Sequence, residues 1–167
     1  MLVRVYGELW NPDSVDWGSQ GRGKKGRLLG TYRFGSGKRT LIDFWDQVGV
    51  YILMSDFKPI YVGKAKGIGP RLRAHISDRL AGRWDMFSWY GFCLPVERSK
   101  GLRSFQTRPL KLDDALRLSE SLLARAALTP LNRQLPKLPG AQESQQHVGK
   151  PESIRRYLEV IRKEVQK

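Results

Sequence analysis

Residues that bind soft metals or form disulfides are scarce in this chain, which has one cysteine, Cys93, and two histidines among 167 residues. A single cysteine cannot form an internal disulfide, and one thiol with two imidazoles does not build a zinc site. Cys93 lies in the apolar segment FSWYGFCL, so we expect it to be a small buried residue. The chain fits a reducing compartment.

Long apolar runs are also missing. The N-terminal segment MLVRVYGELW has no secretory apolar region, and nowhere do the roughly 18 apolar residues of a membrane span follow one another. We therefore expect a soluble cytoplasmic, nucleoid-associated protein that has no membrane partner.

Acidic residues are few, with 16 Asp and Glu against 30 Lys and Arg, and the formal net charge is +14. Such an excess indicates a polyanionic partner, most simply nucleic acid, and DNA is the partner that we expect. An acidic membrane surface would attract the same charge, but no long basic amphipathic helix dominates the sequence.

A glycine-rich basic segment lies near the N-terminus. Between Trp17 and Ile42 there are seven Lys or Arg residues and no acid. One interpretation is a mobile arm that grips phosphates through Arg22, Lys24, Lys25 and Arg27, and the other is a solvated loop whose charge only aids solubility. The net charge favours phosphate contact.

Two short apolar runs, Gly49–Met54 and Ile60–Gly63, flank the turn-forming segment SDFKP and predict a β-hairpin. Strand side chains alternate between faces, so a register that pairs Tyr51 with Tyr61 puts both phenols on one face and leaves a loop of about three residues. The aromatic run from Phe87 to Leu94 predicts a third, central strand.

A glycine-rich turn leads from the hairpin into a predicted helix with Pro70 in its first turn. The spacing of four gives this helix a buried stripe, formed by Leu72, Ile76 and Leu80. The same spacing places a second set on a different face, namely Arg71, His75 and Arg79. Tyrosine, lysine, arginine and histidine side chains are therefore predicted to converge beside one small sheet.

The tripeptides GVY at 49–51 and YVG at 61–63, with Arg71 and a later helical Glu120, resemble the GIY-YIG nuclease family. Tyr51 to Tyr61 and Tyr61 to Arg71 are both ten residues, and His75 follows one helical turn later. The resemblance covers residues 49–134, with valine for isoleucine in both tripeptides. It implies an α/β (α+β) fold, a small three-stranded sheet flanked by helices. His75 matches restriction-type members, whereas repair-type members more often have tyrosine there.

The resemblance also implies roles for the converging residues. Tyr51 would be the general base or orient the water, Tyr61 would bind the water or phosphate, and Arg71 would bind the scissile phosphate. One Mg²⁺ or Mn²⁺ ion on Glu120 would suit a site with a single carboxylate. Base catalysis by Tyr51 then requires cationic neighbours such as Lys64 to lower the pKa of its phenol. Supporting residues are Gly49, Gly63 and Asn132, and further cations expected on nucleic acid are Arg73 and Arg79.

Glu120 lies in a helix that Asp113 or Asp114 caps and that runs through Leu128. A helical wheel puts Glu120 at the edge of an apolar face consisting of Leu112, Ala115, Ser119, Leu122, Leu123 and Ala126. Three residues are predicted to point away, namely Arg117, Ser121 and Arg125. An ion pair of Glu120 with an arginine is the alternative to a metal site.

The domain organisation follows from these segments. Residues 1–48 are predicted to form a basic glycine-rich extension, 49–135 a nuclease-like core, 136–150 a linker with His147 exposed, and 151–167 an amphipathic helix that packs on the core. Residues 2–10 are predicted as an outer strand, 28–34 as a further strand, and 40–47 as a short helix or turn. Trp84 and Trp89 are candidates for stacking on bases, although core packing is expected for Trp89.

Three functions compete on this sequence. The first is a divalent-metal-dependent DNA endonuclease of restriction, defence or repair. The second is a nucleic-acid-binding module without catalysis, and the third is a nuclease that cleaves RNA. The presence of each expected polar residue favours the first, since a binding module needs no metal-ligand glutamate. The oligomeric state, monomer or dimer, stays open.

Overall fold

The computed structural model describes residues 2–19, 23–103, 111–127, 137–138 and 140–148. Within these residues strands dominate and are accompanied by two α-helices, so the predicted mixed α+β class is confirmed. The strands are β1 Val5–Trp10, β2 Leu29–Arg33, β3 Arg39–Asp43, β4 Gly49–Ser55, β5 Lys58–Ala65, β6 Met86–Gly91, β7 Pro95–Val96, β8 Gly101–Leu102, β9 Gln142–Glu143 and β10 Gln145–Gln146. The helices are α1 Ile68–His75 and α2 Leu112–Ala127, and a 3₁₀ turn spans Pro12–Ser14.

The central sheet has five strands in the order β5-β4-β6-β1-β9, rather than the three that the resemblance implied. All its pairs are antiparallel except β1 with β9. Strands β4 and β6 occupy the middle and are almost wholly buried, which explains their continuous apolar runs. The predicted hairpin and third strand are thus present inside a larger sheet.

The N-terminal segment is part of the folded core and not an extension to it. Strand β1 lies between β6 and β9 instead of outside the core. Trp10, Leu28 and Ile42 belong to the same buried cluster as Tyr51. The predicted helix or turn at 40–47 is strand β3 followed by a turn, because β3 pairs along its length with β2. The chain therefore needs residues outside 49–135 to complete its core.

The predicted linker at 136–150 also contributes strands. Strand β9 pairs with β1, and β10 joins β2 and β3 in a second sheet. Ser144 is buried between them, donating its amide to the Tyr6 carbonyl at 2.7 Å and its hydroxyl to the Thr31 carbonyl at 3.0 Å. These bonds satisfy polar groups that a free linker would leave in water. His147 is exposed, as predicted, whereas the predicted helix at 151–167 lies outside the described residues.

The buried face of α2 differs from the helical-wheel prediction. Ser121 and Arg125 are buried, whereas Leu123 is 68% exposed. Arg125 Nη1 lies 2.7 Å from both carboxylate oxygens of Glu8, and its guanidinium lies 5.1 Å from the centre of the Tyr6 ring. A wheel built on apolar side chains misses this face because the ion pair and the ring compensate the cost of burying the guanidinium.

The central sheet has a core on each face. Along β4, Tyr51 and Leu53 point into one cluster, whereas Ile52 and Met54 point into the other. Helix α1 contributes Ile68 and Leu72 to the Tyr51 side. Helix α2 packs its Leu118 and Leu122 on the Ile52 side. The two helices therefore lie on opposite faces of the sheet. No helix in the described residues is long and apolar enough to cross a bilayer.

The β4–β5 hairpin closes through a two-residue turn. Ser55 pairs with Lys58, and the residues between them, Asp56 and Phe57, have φ angles of 50° and 60°. Two successive positive φ values are the signature of a type I′ turn, which favours asparagine and glycine. A phenylalanine in this conformation is strained, and Phe57 is 57% exposed.

We expect Phe57→Gly to be more stable than Phe57→Ala by about 1 kcal/mol, since glycine carries no penalty in the left-handed region. Both variants remove the ring, so the alanine variant controls for its loss. Urea denaturation of the two variants measures the difference in the free energy of unfolding. Equal stability would mean that the turn does not hold residue 57 at positive φ.

Candidate active site

The hairpin register places the two tyrosines diagonally rather than directly opposite each other. Tyr51 pairs with Gly63, and Tyr61 pairs with Leu53. The predicted pairing of Tyr51 with Tyr61 is wrong because the two-residue turn and a bulge between Leu53 and Met54 shift the strands. The shift is an even number of residues, so both phenols still share a face, with ring centres 6.1 Å apart.

Two glycines allow backbone and rings to approach closely at this hairpin. A Cβ atom on Gly63 would lie within 2.5 Å of the Tyr51 ring and its hydroxyl, and one on Gly49 would meet the Tyr90 carbonyl. The ring of Tyr51 therefore lies directly over the Gly63 backbone. Both glycines were predicted as supporting residues, and their role is to leave room on β4 and β5.

Helix α1 brings Arg71 and His75 to the Tyr51 face. Its first amides are satisfied by the turn between β3 and β4, because Ile68 donates to the Gln47 carbonyl and Gly69 to the Trp45 carbonyl. The burial of Ile68 and Leu72 fixes the rotation of the helix. His75 is consequently 2% exposed, whereas Arg71 is exposed.

A chain of hydrogen bonds crosses this cluster from Asp78 to Arg71. The Tyr51 hydroxyl lies 2.7 Å from His75 Nε2, and His75 Nδ1 lies 2.7 Å from Asp78 Oδ2. Arg71 Nε donates to the same Tyr51 hydroxyl at 3.3 Å. Since an ionised carboxylate only accepts, Nδ1 of a neutral His75 carries the proton and Nε2 accepts from Tyr51.

The electrostatics keep Tyr51 protonated and Asp78 ionised. Burial raises the pKa of the Tyr51 phenol, and the hydrogen bond from Arg71 offsets this only in part. The hydrogen bond from the Leu80 amide holds the pKa of Asp78 below its usual value, and the hydrogen bond with His75 adds a smaller effect in the same direction. An isolated phenol with a raised pKa is a poor base at neutral pH, so any proton transfer at Tyr51 depends on His75.

Tyr61 and Arg79 complete the outer part of the cluster. The Tyr61 ring is half-buried, with its centre 5.2 Å from that of His75. The Arg79 guanidinium lies 5.9 Å from the Tyr61 ring centre, within range of a cation–π contact. The hydrogen bond with Tyr51 raises the pKa of the Arg71 guanidinium, and the hydrogen bond with Tyr61 has a smaller effect in the same direction. Two guanidinium groups therefore stand at the entrance to a buried phenol.

Lys64, predicted at the site, lies on the other face of β5. It pairs with Val50, which packs into the Ile52 cluster, whereas the neighbouring Gly63 faces Tyr51. Strand alternation thus points its Cβ away from Tyr61. Its ammonium is exposed. The prediction that Lys64 belongs to the site is wrong, because Lys64 follows Gly63 directly and neighbouring residues of a strand point to opposite faces of the sheet.

Glu120 is not brought to the tyrosines either. It is exposed on α2, and that helix packs on the face of the sheet opposite Tyr51. The carboxylate linked to the phenol, through His75, is Asp78, whose two oxygens accept from His75 and from the Leu80 amide. No group of three His, Cys, Asp or Glu side chains gathers anywhere in the described ranges. These residues do not fit a magnesium ion held by Glu120 beside Tyr51. Asn132 lies outside the described residues.

The described part of the basic segment, residues 17–19 and 23–42, is folded, and three of its cations have acidic neighbours from outside the segment. Lys24 pairs with Asp16 at 3.1 Å, Lys25 with Asp46, and Arg27 lies 3.9 Å from Asp43. Such exposed pairs are weak and leave the cations able to reach phosphates. Arg22 lies outside the described residues. Arg73 of α1 donates to the Ser19 carbonyl and so fastens this segment to the helix.

Asp78 is the site residue that sequence reasoning missed. It follows His75 by three residues, a spacing that joins side chains at the end of a helix. The pair was visible in the sequence as HISD. The predicted core roles of Cys93 and Trp89 are confirmed, and Trp84 is also buried rather than available for stacking on bases.

Comparison of the chain with protein-family models, curated proteins and solved structures finds no match.

We expect Gly63→Ala to lower the free energy of unfolding by about 1–3 kcal/mol, the usual cost of overpacking, because its methyl group would collide with the Tyr51 ring. The matched control is Gly101→Ala, where the nearest atom lies at an ordinary 3.5 Å. Chemical denaturation measures both. Equal effects would show that Tyr51 does not lie over the Gly63 backbone.

Proposed function

We propose that this protein is a nuclease that hydrolyses phosphodiester bonds, with DNA as the expected substrate. The observation that carries the proposal is the hydrogen-bond chain from Asp78 through His75 to Tyr51, which ends at the exposed Arg71. Phosphodiester hydrolysis needs a proton acceptor for the attacking water and a cation that binds the phosphate. The hydrogen-bonded chain with its carboxylate can provide the first, and Arg71 the second.

The chain of residues moves a proton in one direction. His75 Nε2 takes the proton of the Tyr51 phenol while the phenol oxygen takes a proton from the attacking water. Asp78 stabilises the resulting imidazolium because its carboxylate accepts the hydrogen bond from Nδ1–H. As the water oxygen bonds to phosphorus, the ester P–O bond breaks and the leaving oxygen takes a proton from solvent. This arrangement removes the need for a phenolate before substrate binds, which the raised pKa of Tyr51 disfavours.

Arg71 has two duties in this mechanism. Its Nε atom covers the Tyr51 hydroxyl, and Tyr51 has no exposed surface. When the terminal nitrogens of the guanidinium bind the scissile phosphate, the side chain turns outward and opens the hydroxyl to water. The bond to Tyr51, at 3.3 Å, is long enough to exchange readily. Binding of the phosphate and exposure of the base are thereby coupled.

Nucleic acid is the substrate class that the charge supports best. The net charge is +14, and Arg71 and Arg79 stand beside the phenols. None of the described carboxylates forms a salt bridge with either of these arginines. Arginines that form no salt bridge attract a polyanion more strongly than paired ones.

A binding module without catalysis is the second candidate, and the complete burial of Tyr51 favours it. In that case the hydrogen bonds of Tyr51 and His75 only satisfy polar groups in the core. The two functions differ in turnover, since a module binds nucleic acid and leaves it intact. An RNA substrate is distinguished by comparing labelled DNA and RNA strands in the same assay.

We expect Tyr51→Phe to lower the single-turnover rate of cleavage roughly 10²–10⁴-fold, because the ring still packs but the proton acceptor is lost. Tyr61→Phe is the matched control and should lose a factor of about ten or less, as for one hydrogen bond. Melting curves confirm that both variants fold. A larger loss in Tyr61→Phe than in Tyr51→Phe would assign the general base to Tyr61 instead. If the wild-type protein cleaves no nucleic acid, the nuclease proposal is rejected in favour of the binding module.

The magnesium requirement is tested separately from its predicted ligand. We expect cleavage to need Mg²⁺ or Mn²⁺ and to stop in excess EDTA, as phosphoryl transfer commonly requires such an ion. Glu120→Gln should cleave at a rate close to that of wild type, since Glu120 is exposed on the other side of the sheet. Cleavage in EDTA would overturn the metal requirement, and loss of cleavage in Glu120→Gln would overturn the placement of this residue outside the site.

A further inference from the structure

An open groove runs along the side of α1 that does not face Tyr51. Its volume is about 370 Å³, within the range of small-ligand sites. The lining residues are Trp17, Gly18, Pro70, Arg73, Ala74, Ile76 and Ser77. The helix that forms one wall of the groove also carries Arg71 and His75. The groove is therefore next to the candidate active site but distinct from it.

Trp17 supplies a rigid aromatic surface to the groove. Its ring lies 6.4 Å from those of Trp45 and Trp84, edge to face with both. The indole N–H donates to the Pro12 carbonyl at 3.1 Å, so it needs no other partner. Trp17 is only half-buried. A ring that two neighbouring rings and a hydrogen bond hold in place, and that is still partly accessible, can stack on a base with little loss of side-chain entropy.

The remaining wall combines apolar and cationic groups. Ile76 is 42% exposed, and Ala74 is also exposed. Arg73 lies at the groove with its guanidinium fixed by the Ser19 carbonyl. A flat apolar space with an arginine at its side matches the chemistry of a nucleotide, whose base is aromatic and whose phosphate is anionic. An apolar peptide would not need the arginine.

We propose that this groove takes one unstacked base of the bound strand, while the phosphate next to that base contacts Arg71. The inference rests on the proposed function for the substrate class and adds that the protein selects a nucleotide outside a regular duplex. Arg71 and Arg73 lie two residues apart on α1 and therefore point to different sides of the helix. The bound strand would cross α1, with one phosphate on Arg71 and the base on the Arg73 side. Trp17 then plays the stacking role for which the buried Trp84 and Trp89 are unsuitable.

The test compares two hairpin duplexes that differ at one position, a single-nucleotide thymine bulge and an abasic bulge. Fluorescence anisotropy at one salt concentration gives both dissociation constants, and gels confirm that the DNA stays intact. We expect wild type to bind the thymine bulge about 5- to 150-fold more tightly, the value of one stacked base. Ala74→Leu fills the groove and should bring this ratio to about one. Ala81→Leu, at an exposed alanine outside the groove, should keep it.

A ratio near one in wild type, or an unchanged ratio in Ala74→Leu, would overturn the base site. Competition by free thymidine monophosphate as effective as that by the bulged DNA would also overturn it, in favour of a small-ligand site. Failure of the proposed function is seen separately in the cleavage assay. Base-dependent binding without cleavage of any strand rejects the nuclease activity and supports the base site. Cleavage without base-dependent binding supports the nuclease activity and rejects the base site.

Discussion

Burial of the Tyr51 hydroxyl is the constraint on which the rest of this structure depends. A phenol with no exposed surface must place its hydroxyl on a partner, or the fold bears the cost of an unsatisfied polar group. His75 is that partner, and because His75 is itself buried, its second nitrogen needs Asp78. The backbone must also make room, which it does by having Gly63 opposite Tyr51. One buried oxygen thus ties together β4, β5 and α1.

The same hydrogen bonds that stabilise the core form the chemical arrangement that we propose for cleavage. Polar networks in a low-dielectric core are strongly ordered when each member is satisfied, and the order of this one fixes the tautomer of His75. Arg71 is the member at the solvent boundary, where it caps the network and presents guanidinium nitrogens outward. The groove at Trp17 lies on the other side of α1. A short helix thereby separates the proposed phosphate chemistry from the proposed recognition of a base.

Local sequence patterns predicted the residues at the centre of the site. The features that these patterns did not predict depend on contacts between residues that are distant in the sequence. The convergence of Tyr51, Arg71 and His75 followed from strand alternation and a helical spacing of four, which act within a few residues. The place of β1 inside the central sheet depends on β6 and β9, more than 75 residues away in sequence. Glu120 was misplaced for a related reason. The buried face of α2 is set by the pairing of Arg125 with the distant Glu8, which no helical wheel contains.

The most direct test of the account is the protonation of the His75 ring, measured by long-range ¹⁵N–¹H NMR of the folded protein near neutral pH, with a His147→Gln variant to assign the signals. The hydrogen-bond geometry predicts that Nδ1 of the ring is protonated and that Nε2 accepts from the Tyr51 hydroxyl. Tyr51→Phe should then shift the Nε2 signal and leave Nδ1 protonated. A ring protonated at Nε2 alone would contradict the account, because Nε2 could not then accept the proton of Tyr51.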